Sequence, residues 1–265
     1  MKRLASLGAL LCAACAQMSP APSPEAKAQL APTGELRVAL LTSNPVIASR
    51  NAASGELGGT TAILAQELAQ RAGVPAKLIE YTAVNRLMED SGKGAWDVAV
   101  VAIDPERRAI VDYAPAHLFA DGFLTVLVPP GSTARSMADL DQPGKRVAAV
   151  RGAATSMTLA RTLKSGSVAL AENENAAFAL MREGKADGYA QNRFMLRARA
   201  QTLPGSRIID DSFAGLRLAF ALPKARPAAS RFVAAFIADA KGSGVVQKAI
   251  DAAGMAGDVK VAPAE

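Results

Sequence analysis

Past residue 34 the chain alternates short apolar runs with stretches whose apolar residues recur every three to four positions. These are the patterns of buried strands and amphipathic helices. Leu36 to Leu41 (LRVALL) predicts a strand, and Thr60 to Arg71, with Ile63, Leu64 and Leu68 on one face, predicts a helix ended by Gly73 and Pro75. Ala76 to Tyr81 reads as a strand, Asn85 to Ser91 as a helix capped by Thr82 or Asn85, and Trp96 to Ile103 (WDVAVVAI) as a strand buried on both faces. Phe123 to Val128 (FLTVLV) is a further strand, broken by Pro129-Pro130-Gly131, a candidate crossover between lobes.

A second series follows: a strand at Arg146 to Val150, a helix after Gly152, a strand at Ser167 to Ala171, a helix at Asn173 to Arg182 and a strand at Asp187 to Ala190. Leu216 to Leu222 (LRLAFAL) then precedes Pro223 and two helices, Pro227 to Lys241 and Val245 to Ala253. Repeated strand and helix alternation implies an α/β protein built in layers. Two lobes are the simplest packing: residues 34–126 and 217–265 in the first, with the chain crossing back near Leu216, and 127–216 in the second.

The start of the chain sets the compartment. Lys2 and Arg3 precede an apolar run from Leu4 to Cys15, so residues 1–16 read as a secretory signal. The run is shorter than the roughly 20 residues a spanning helix needs. Ala14-Cys15-Ala16 fits ordinary signal removal, whereas Ala13-Ala14-Cys15 resembles the end of a bacterial lipobox, weakened by Cys12 where Leu is usual. The second reading leaves a lipidated Cys15 and a membrane anchor. The mature protein is thus expected in the periplasm or otherwise outside the cytoplasm. Residues 17–33, alternating Pro with small and polar residues, read as an extended tether.

Both cysteines lie in the leader, so the folded part has no disulfide or thiolate metal site to rely on, and its stability rests on packing. Half of the 265 residues are apolar, enough for one large core or two moderate ones. Without Lys2 and Arg3 the net charge falls from +6 to +4, and the basic residues stand singly or in pairs such as Arg107-Arg108. With no basic run and few aromatics, nucleic acid is a poor partner; a field mildly attractive to anions remains.

Several phrases carry a family resemblance. Gly34-Glu35-Leu36-Arg37-Val38-Ala39, Gly55-Glu56-Leu57-Gly58-Gly59 and the helix ending Gly73-Val74 resemble the opening of family 3 extracellular solute-binding proteins of ABC transporters. The family's G-x-x-D-V, T-P-E-R and D-F-S-x-P-Y phrases are matched in order by Gly94-Ala95-Trp96-Asp97-Val98, Asp104-Pro105-Glu106-Arg107 and Asp112-Tyr113-Ala114-Pro115-Ala116. Met137 to Leu140, Gly144 to Gly152 and Ala179 to Gly188 are similar to phrases of its second domain. The resemblance implies a two-lobed Venus-flytrap fold (periplasmic binding protein type II), each lobe a mixed sheet flanked by helices. It also implies a small-molecule ligand held between lobes, delivery to an inner-membrane ABC permease, and a monomer without cofactor.

Arg107 matches the family's ligand-carboxylate anchor, and a planar guanidinium suits that task through two parallel charge-assisted hydrogen bonds. Read without the resemblance, Arg107 is a solvated arginine interchangeable with Arg108. Ala102 lies on the backbone that lines the ligand in the family, in a stretch about two residues shorter here. Asp104 stands where the family has Thr; it either restores a missing anion or caps a helix over Pro105 to Val111, and the roles are not exclusive. Ser43 and Asn44 replace the family's aromatic loop and are candidate donors, or simply turn residues. Thr155 and Ser156 open the helix after Gly152, as anion-site residues or plain N-caps. The family's second-lobe Asp falls at Gln191 or Asn192, so standard L-amino acids are expected to bind poorly.

An enzyme on the same fold, such as a cyclohexadienyl dehydratase, is the alternative, and a ligand-sensing partner of a membrane receptor is another. His117 is the sole histidine, which excludes a metal cluster of several imidazoles and leaves one candidate for a Ser-His-Asp arrangement. Glu172, Glu174 and Glu183 read as solvated helix residues.

Overall fold

The computed structural model describes residues 21–51 and 53–263; the leader, and with it the candidate lipidation site Cys15, lies outside them. Where a loose tether was expected, α1 (Pro24–Leu30) forms, with Pro24 in the first turn and the Ser23 hydroxyl accepting from the Ala26 amide. Ala26 and Leu30, four apart, are buried, and the Gln29 Oε1 accepts from the amides of Ala228 and Ala229. A Pro-rich composition marked the segment as extended, but one apolar stripe suffices to dock it.

The first lobe opens with β1 (Leu36–Leu41), the short pair β2 (Ser49–Arg50) and β3 (Leu57–Gly58), α2 (Thr60–Ala72), β4 (Ala76–Tyr81), α3 (Val84–Glu89), β5 (Val98–Ala102) and β6 (Val111–Tyr113). β7 (Leu118–Val128) leads to the second lobe, made of α4 (Met137–Leu140), β8 (Arg146–Val150), α5 (Ala154–Thr162), β9 (Ser167–Ala171), α6 (Glu174–Arg182), β10 (Gly188–Asn192), α7 (Arg193–Gln201) and β11 (Arg207–Ile208). β12 (Ala214–Pro223) returns, and α8 (Pro227–Gly242), α9 (Val245–Ala252) and β13 (Lys260–Val261) complete the first lobe.

One curled mixed sheet runs through both lobes in the order β4-β1-β5-β12-β7-β10-β8-β9. β1 is parallel to β4 and β5, β8 is parallel to β9 and β10, and the long strands β7 and β12 are antiparallel to their neighbours. β7 pairs with β12 through Leu118 to Ala120 and with β10 through Leu124 to Leu127. The lobes therefore join inside these strands, where Gly122 has φ +56° and the β7/β12 register shifts between Ala214 and Leu216. The candidate crossover at Pro129-Pro130-Gly131 falls beyond this passage, because the strand itself changes lobes by changing partners. A register irregularity is where a strand can be re-aimed without losing its ladder.

The core is divided accordingly. One cluster gathers Leu36, Leu64, Trp96, Phe220 and Phe236 with α8 and α9; two smaller clusters, one containing Tyr189 and Leu196 and the other Val147 and Leu159, form the second lobe's core. No helix among the described residues is long and apolar enough to cross a membrane.

Asp97, from the G-x-x-D-V phrase, has a structural task. Its fully buried carboxylate accepts from the Arg37 guanidinium (2.8 Å to each oxygen), the Arg37 amide and Arg226 (2.9 Å). It joins β1 and β5 to the start of α8. Removing one member of a buried ionic set leaves charges uncompensated. Asp97→Ala is expected to lower the unfolding free energy by about 3–5 kcal/mol, measured by urea denaturation.

His117 is fully buried against Phe220 at 5.1 Å, with no hydrogen-bond partner on either ring nitrogen. Burial, with a smaller contribution from the Lys241 ammonium, lowers its pKa to about 3. Between that value and the unfolded value of about 6.5 the unfolded chain binds more protons, so stability falls as pH drops through this window. At pH 5 the loss amounts to about 2 kcal/mol. Thermal melts from pH 7.5 to 4.5 should show this slope, and His117→Phe should flatten it.

Candidate functional site

The cleft between the lobes is lined from the first lobe by the loop after β1 (Ser43, Asn44, Ile47), the turn before α3, the end of β5 and Arg107. From the second lobe come Ala153 to Thr155 at the start of α5, Glu172 to Glu174 before and within α6, and Gln191 and Asn192 at the end of β10. Most of these are strand ends and helix starts, the places where an α/β sheet exposes polar backbone and loop side chains. The lobes are closed on each other and leave a cavity of about 60 Å³, well under the few hundred Å³ typical of a pocket that engulfs a ligand.

Arg107 lies at the cleft wall and is 4% exposed. The expected helix around it is a 3-10 turn, Glu106–Ala109, because Val111 already pairs in β6 with β12. Its Nη1 donates to the Ala102 carbonyl (3.1 Å) and its Nη2 to the Gly152 carbonyl of the other lobe (2.7 Å). The Tyr113 hydroxyl donates to the same Ala102 oxygen at 3.1 Å. Gly152 holds φ +69°, a left-handed turn that favours glycine. Burial lowers the Arg107 pKa, but a guanidinium stays charged in proteins. Its hydrogen-bond partners are thus carbonyl dipoles, and no carboxylate is within ion-pair distance of it among the described residues. The first-turn amides of α5, whose N-cap Ala153 makes no side-chain cap, add positive potential to the cleft.

Asp104 does not line the cleft. Its Oδ1 accepts from the Glu106 amide (2.9 Å), capping the 3-10 turn, and its Oδ2 accepts from Arg161 of α5 (2.6 Å). Arg161 also pairs with Glu106 at 3.2 Å. The carboxylate expected as a possible ligand anion is therefore spent on an ion pair across the lobes. Ser156 also lies outside the cleft lining, its hydroxyl donating to the Ala153 carbonyl at 2.9 Å. Neither Thr155 nor Ser156 caps α5, and neither Thr82 nor Asn85 caps α3, since Ala153 and Ala83 hold those positions.

The amides at the end of β10 are already engaged. Gln191 Oε1 accepts from the Asn192 amide (2.7 Å) and from the Thr155 hydroxyl (3.4 Å). Asn192 Oδ1 accepts from the Met195 amide at 2.8 Å, capping α7, while its Nδ2 reaches Asn44 Oδ1 at 3.5 Å. The negative charge of this wall is supplied instead by Glu174, half-buried at the first position of α6. Its Oε1 accepts from Gln191 Nε2 (2.7 Å) and its Oε2 from the Tyr189 hydroxyl. Burial and the Glu174 charge raise the Tyr189 pKa far above its ordinary value, which keeps it a donor. Reading Glu174 as a solvated helix residue missed this, and only its position one residue past a helix N-cap hinted at a lobe-facing carboxylate. Glu172 is exposed and paired with Arg151, and His117 sits in the first lobe's core, away from the cleft. Among the described residues no group of His, Cys, Asp and Glu is arranged to hold a metal.

Two lobes on one sheet, with a buried cation and a half-buried carboxylate in the cleft, define a solute-binding protein of the type II periplasmic architecture. The sequence profile of the bacterial extracellular solute-binding proteins, family 3, matches residues 36–252, and the chain belongs to that family. The ABC transporter glutamine-binding protein GlnH of Bacillus subtilis (strain 168) is 26% identical over 199 residues, covering 74% of this chain and 72% of that one. A mutant of the arginine-binding protein ArgBP from T. maritima superposes with a TM-score of 0.71 at 22% identity, over 86% of this chain and 98% of that one. The ancestral amino-acid-binding protein AncCDT-1, a precursor of cyclohexadienyl dehydratase, gives 0.69 at 23% identity, over 85% and 97%. At such identity the two structures establish the fold alone.

The ion pairs of Arg161 with Asp104 and Glu106 hold the lobes together. Arg161→Ala is expected to enlarge the radius of gyration in small-angle X-ray scattering and to speed amide exchange in Gly152 to Thr162. Thermal stability should fall by about 1–3 kcal/mol, since Arg161 is partly exposed but Asp104, 1% exposed, loses its ionic partner.

Proposed function

We propose that the protein captures a small amino-acid-like solute between its lobes and delivers it to an inner-membrane ABC permease. The observation that carries this reading is Arg107, a buried guanidinium at the cleft wall bonded to carbonyl oxygens. A buried cation with no directly bonded anion is costly, and a solute carboxylate supplies one. The α5 amides lie on the same cleft and favour the same group. Glu174 gives the opposite pole, suited to an ammonium. With Gln191 and Asn192 in place of an Asp, the cleft still keeps a negative group in Glu174, so standard amino acids belong among the ligands to be tried. The names of the relatives, which include glutamine and arginine binders, support an amino acid as cargo. Opening of the lobes admits the solute, and its differential affinity for the closed arrangement drives closure.

Calorimetric titration with L-glutamine, L-arginine and simple carboxylic acids tests this. Arg107→Ala should weaken every ligand by roughly 30-fold to 4000-fold, the range for losing one partner of a desolvated charge pair. Glu174→Gln should weaken amino acids by about tenfold or more while sparing simple carboxylates. Equal affinity in wild type and Arg107→Ala would overturn the anchor. Recovery of the solute unchanged separates capture from dehydratase-type conversion.

A further inference from the structure

Glu174 differs from the other acidic groups around the lobe contact. Asp104 and Glu106 are paired with Arg161, and Glu172 with Arg151. Glu174 lines the cleft and has no lysine or arginine within ion-pair distance among the described residues; its side-chain partners are neutral donors from one strand. The Tyr189 hydroxyl donates to Oε2, and Gln191 Nε2 donates to Oε1 at 2.7 Å. Residues 189 and 191 stand two apart on β10, so both side chains leave the same face of the strand and each takes one carboxylate oxygen. Arg199 acts on Tyr189 only from a distance, stacked over Phe178 at 5.2 Å.

Neither donor is free to turn away. Tyr189 is fully buried in the second lobe's core, edge-on to Phe178 at 5.9 Å, so packing alone aims its hydroxyl. Gln191 is fixed by the other atom of its amide: Oε1 accepts from the Asn192 amide (2.7 Å) and from the Thr155 hydroxyl (3.4 Å), which leaves Nε2 turned to Glu174. A buried phenol needs one acceptor, and a neutral oxygen would serve. Two immobilised donors on a carboxylate that has no ionic partner exceed that need. They hold the side chain in one rotamer and occupy one lone pair on each oxygen, which leaves acceptor capacity for a donor that enters the cleft.

We propose that Tyr189 and Gln191 are positioning residues that hold Glu174 as a preoriented acceptor, and so set the preference of the cleft for solutes bearing an ammonium over simple carboxylates. This rests on Glu174 as the ammonium pole, and adds that the pole works because β10 holds it in place. A carboxylate already in its bound rotamer loses no side-chain freedom when the solute arrives. Gln191 lines the cleft, whereas Tyr189 is buried beneath it and reaches a solute only through Glu174. Tyr189→Phe therefore isolates positioning from contact.

Calorimetric titration of L-glutamine, L-arginine and propionate against wild type, Tyr189→Phe, Glu174→Gln and the double variant tests this. Tyr189→Phe keeps the ring and the circular dichroism spectrum; it should weaken the amino acids by about fivefold or more and leave propionate within about twofold. On the Glu174→Gln background the same change should cost no further affinity, because residues that act as one unit are not additive. Gln191→Met, which keeps the shape and loses the donor, should show the same split between amino acids and propionate. Equal weakening of amino acids and propionate by Tyr189→Phe, or losses that add in the double variant, would mark a purely structural tyrosine and overturn the proposal. Amino-acid affinity unchanged in Tyr189→Phe but reduced in Glu174→Gln overturns positioning and leaves the pole standing. Amino-acid affinity unchanged in Glu174→Gln removes the pole itself, and the proposal with it.

Discussion

The contact on which the closed molecule depends is the fork of Arg107, with one nitrogen on the Ala102 carbonyl of its own lobe and another on the Gly152 carbonyl of the opposite lobe. Each half of that fork rests on a backbone feature. Ala102 ends β5, so its carbonyl is free of the ladder beyond it, and Gly152 occupies a left-handed turn between β8 and α5. A guanidinium placed there closes the cleft, yet its hydrogen bonds go to dipoles alone, and Asp104 and Glu106 act on it only from a distance. That combination of burial with incomplete compensation makes the position suited to an anion that arrives from outside.

A second buried ionic set shows the contrast. Asp97 is surrounded by Arg37 and Arg226, its oxygens satisfied within the first lobe, and it sits where β1, β5 and α8 meet. Nothing about it invites a ligand. Asp97 and Arg107 stand ten residues apart in the chain, in adjoining family phrases. Burial and charge are common to both, and the identity of the partners separates structural from functional.

The long strands β7 and β12 explain how two such lobes can move as units. Each strand belongs to both lobes, with the irregular register and Gly122 at the passage, while the hydrophobic clusters stay on either side. Contacts between the lobes beyond the strands include the Arg107 fork, the ion pairs of Arg161 with Asp104 and Glu106 and of Arg197 with Asp258, the approach of Asn192 to Asn44, and the apolar packing of Ala153, Ala154 and Phe194 on the first lobe's core. These polar contacts can be exchanged for water when the lobes part, since each group regains hydration on opening, which suits a closure that has to be reversible.

The alternation of apolar runs determined the strands and helices, since burial on one or both faces writes itself into local sequence: β1, β4, β8 and β9 fall where the pattern puts them. The family phrases located Arg107. What the sequence did not show was pairing between distant residues. Glu174 became part of the cleft because β10 lies beside β8 and brings Tyr189 and Gln191 to it, and Asp104 left the cleft because α5 brings Arg161 to it. α1 was hidden for the same reason: its stripe of two apolar residues has meaning only against α8. Local patterns report which residues are buried, whereas the partner a buried charge finds is fixed by the packing of segments far apart in the chain.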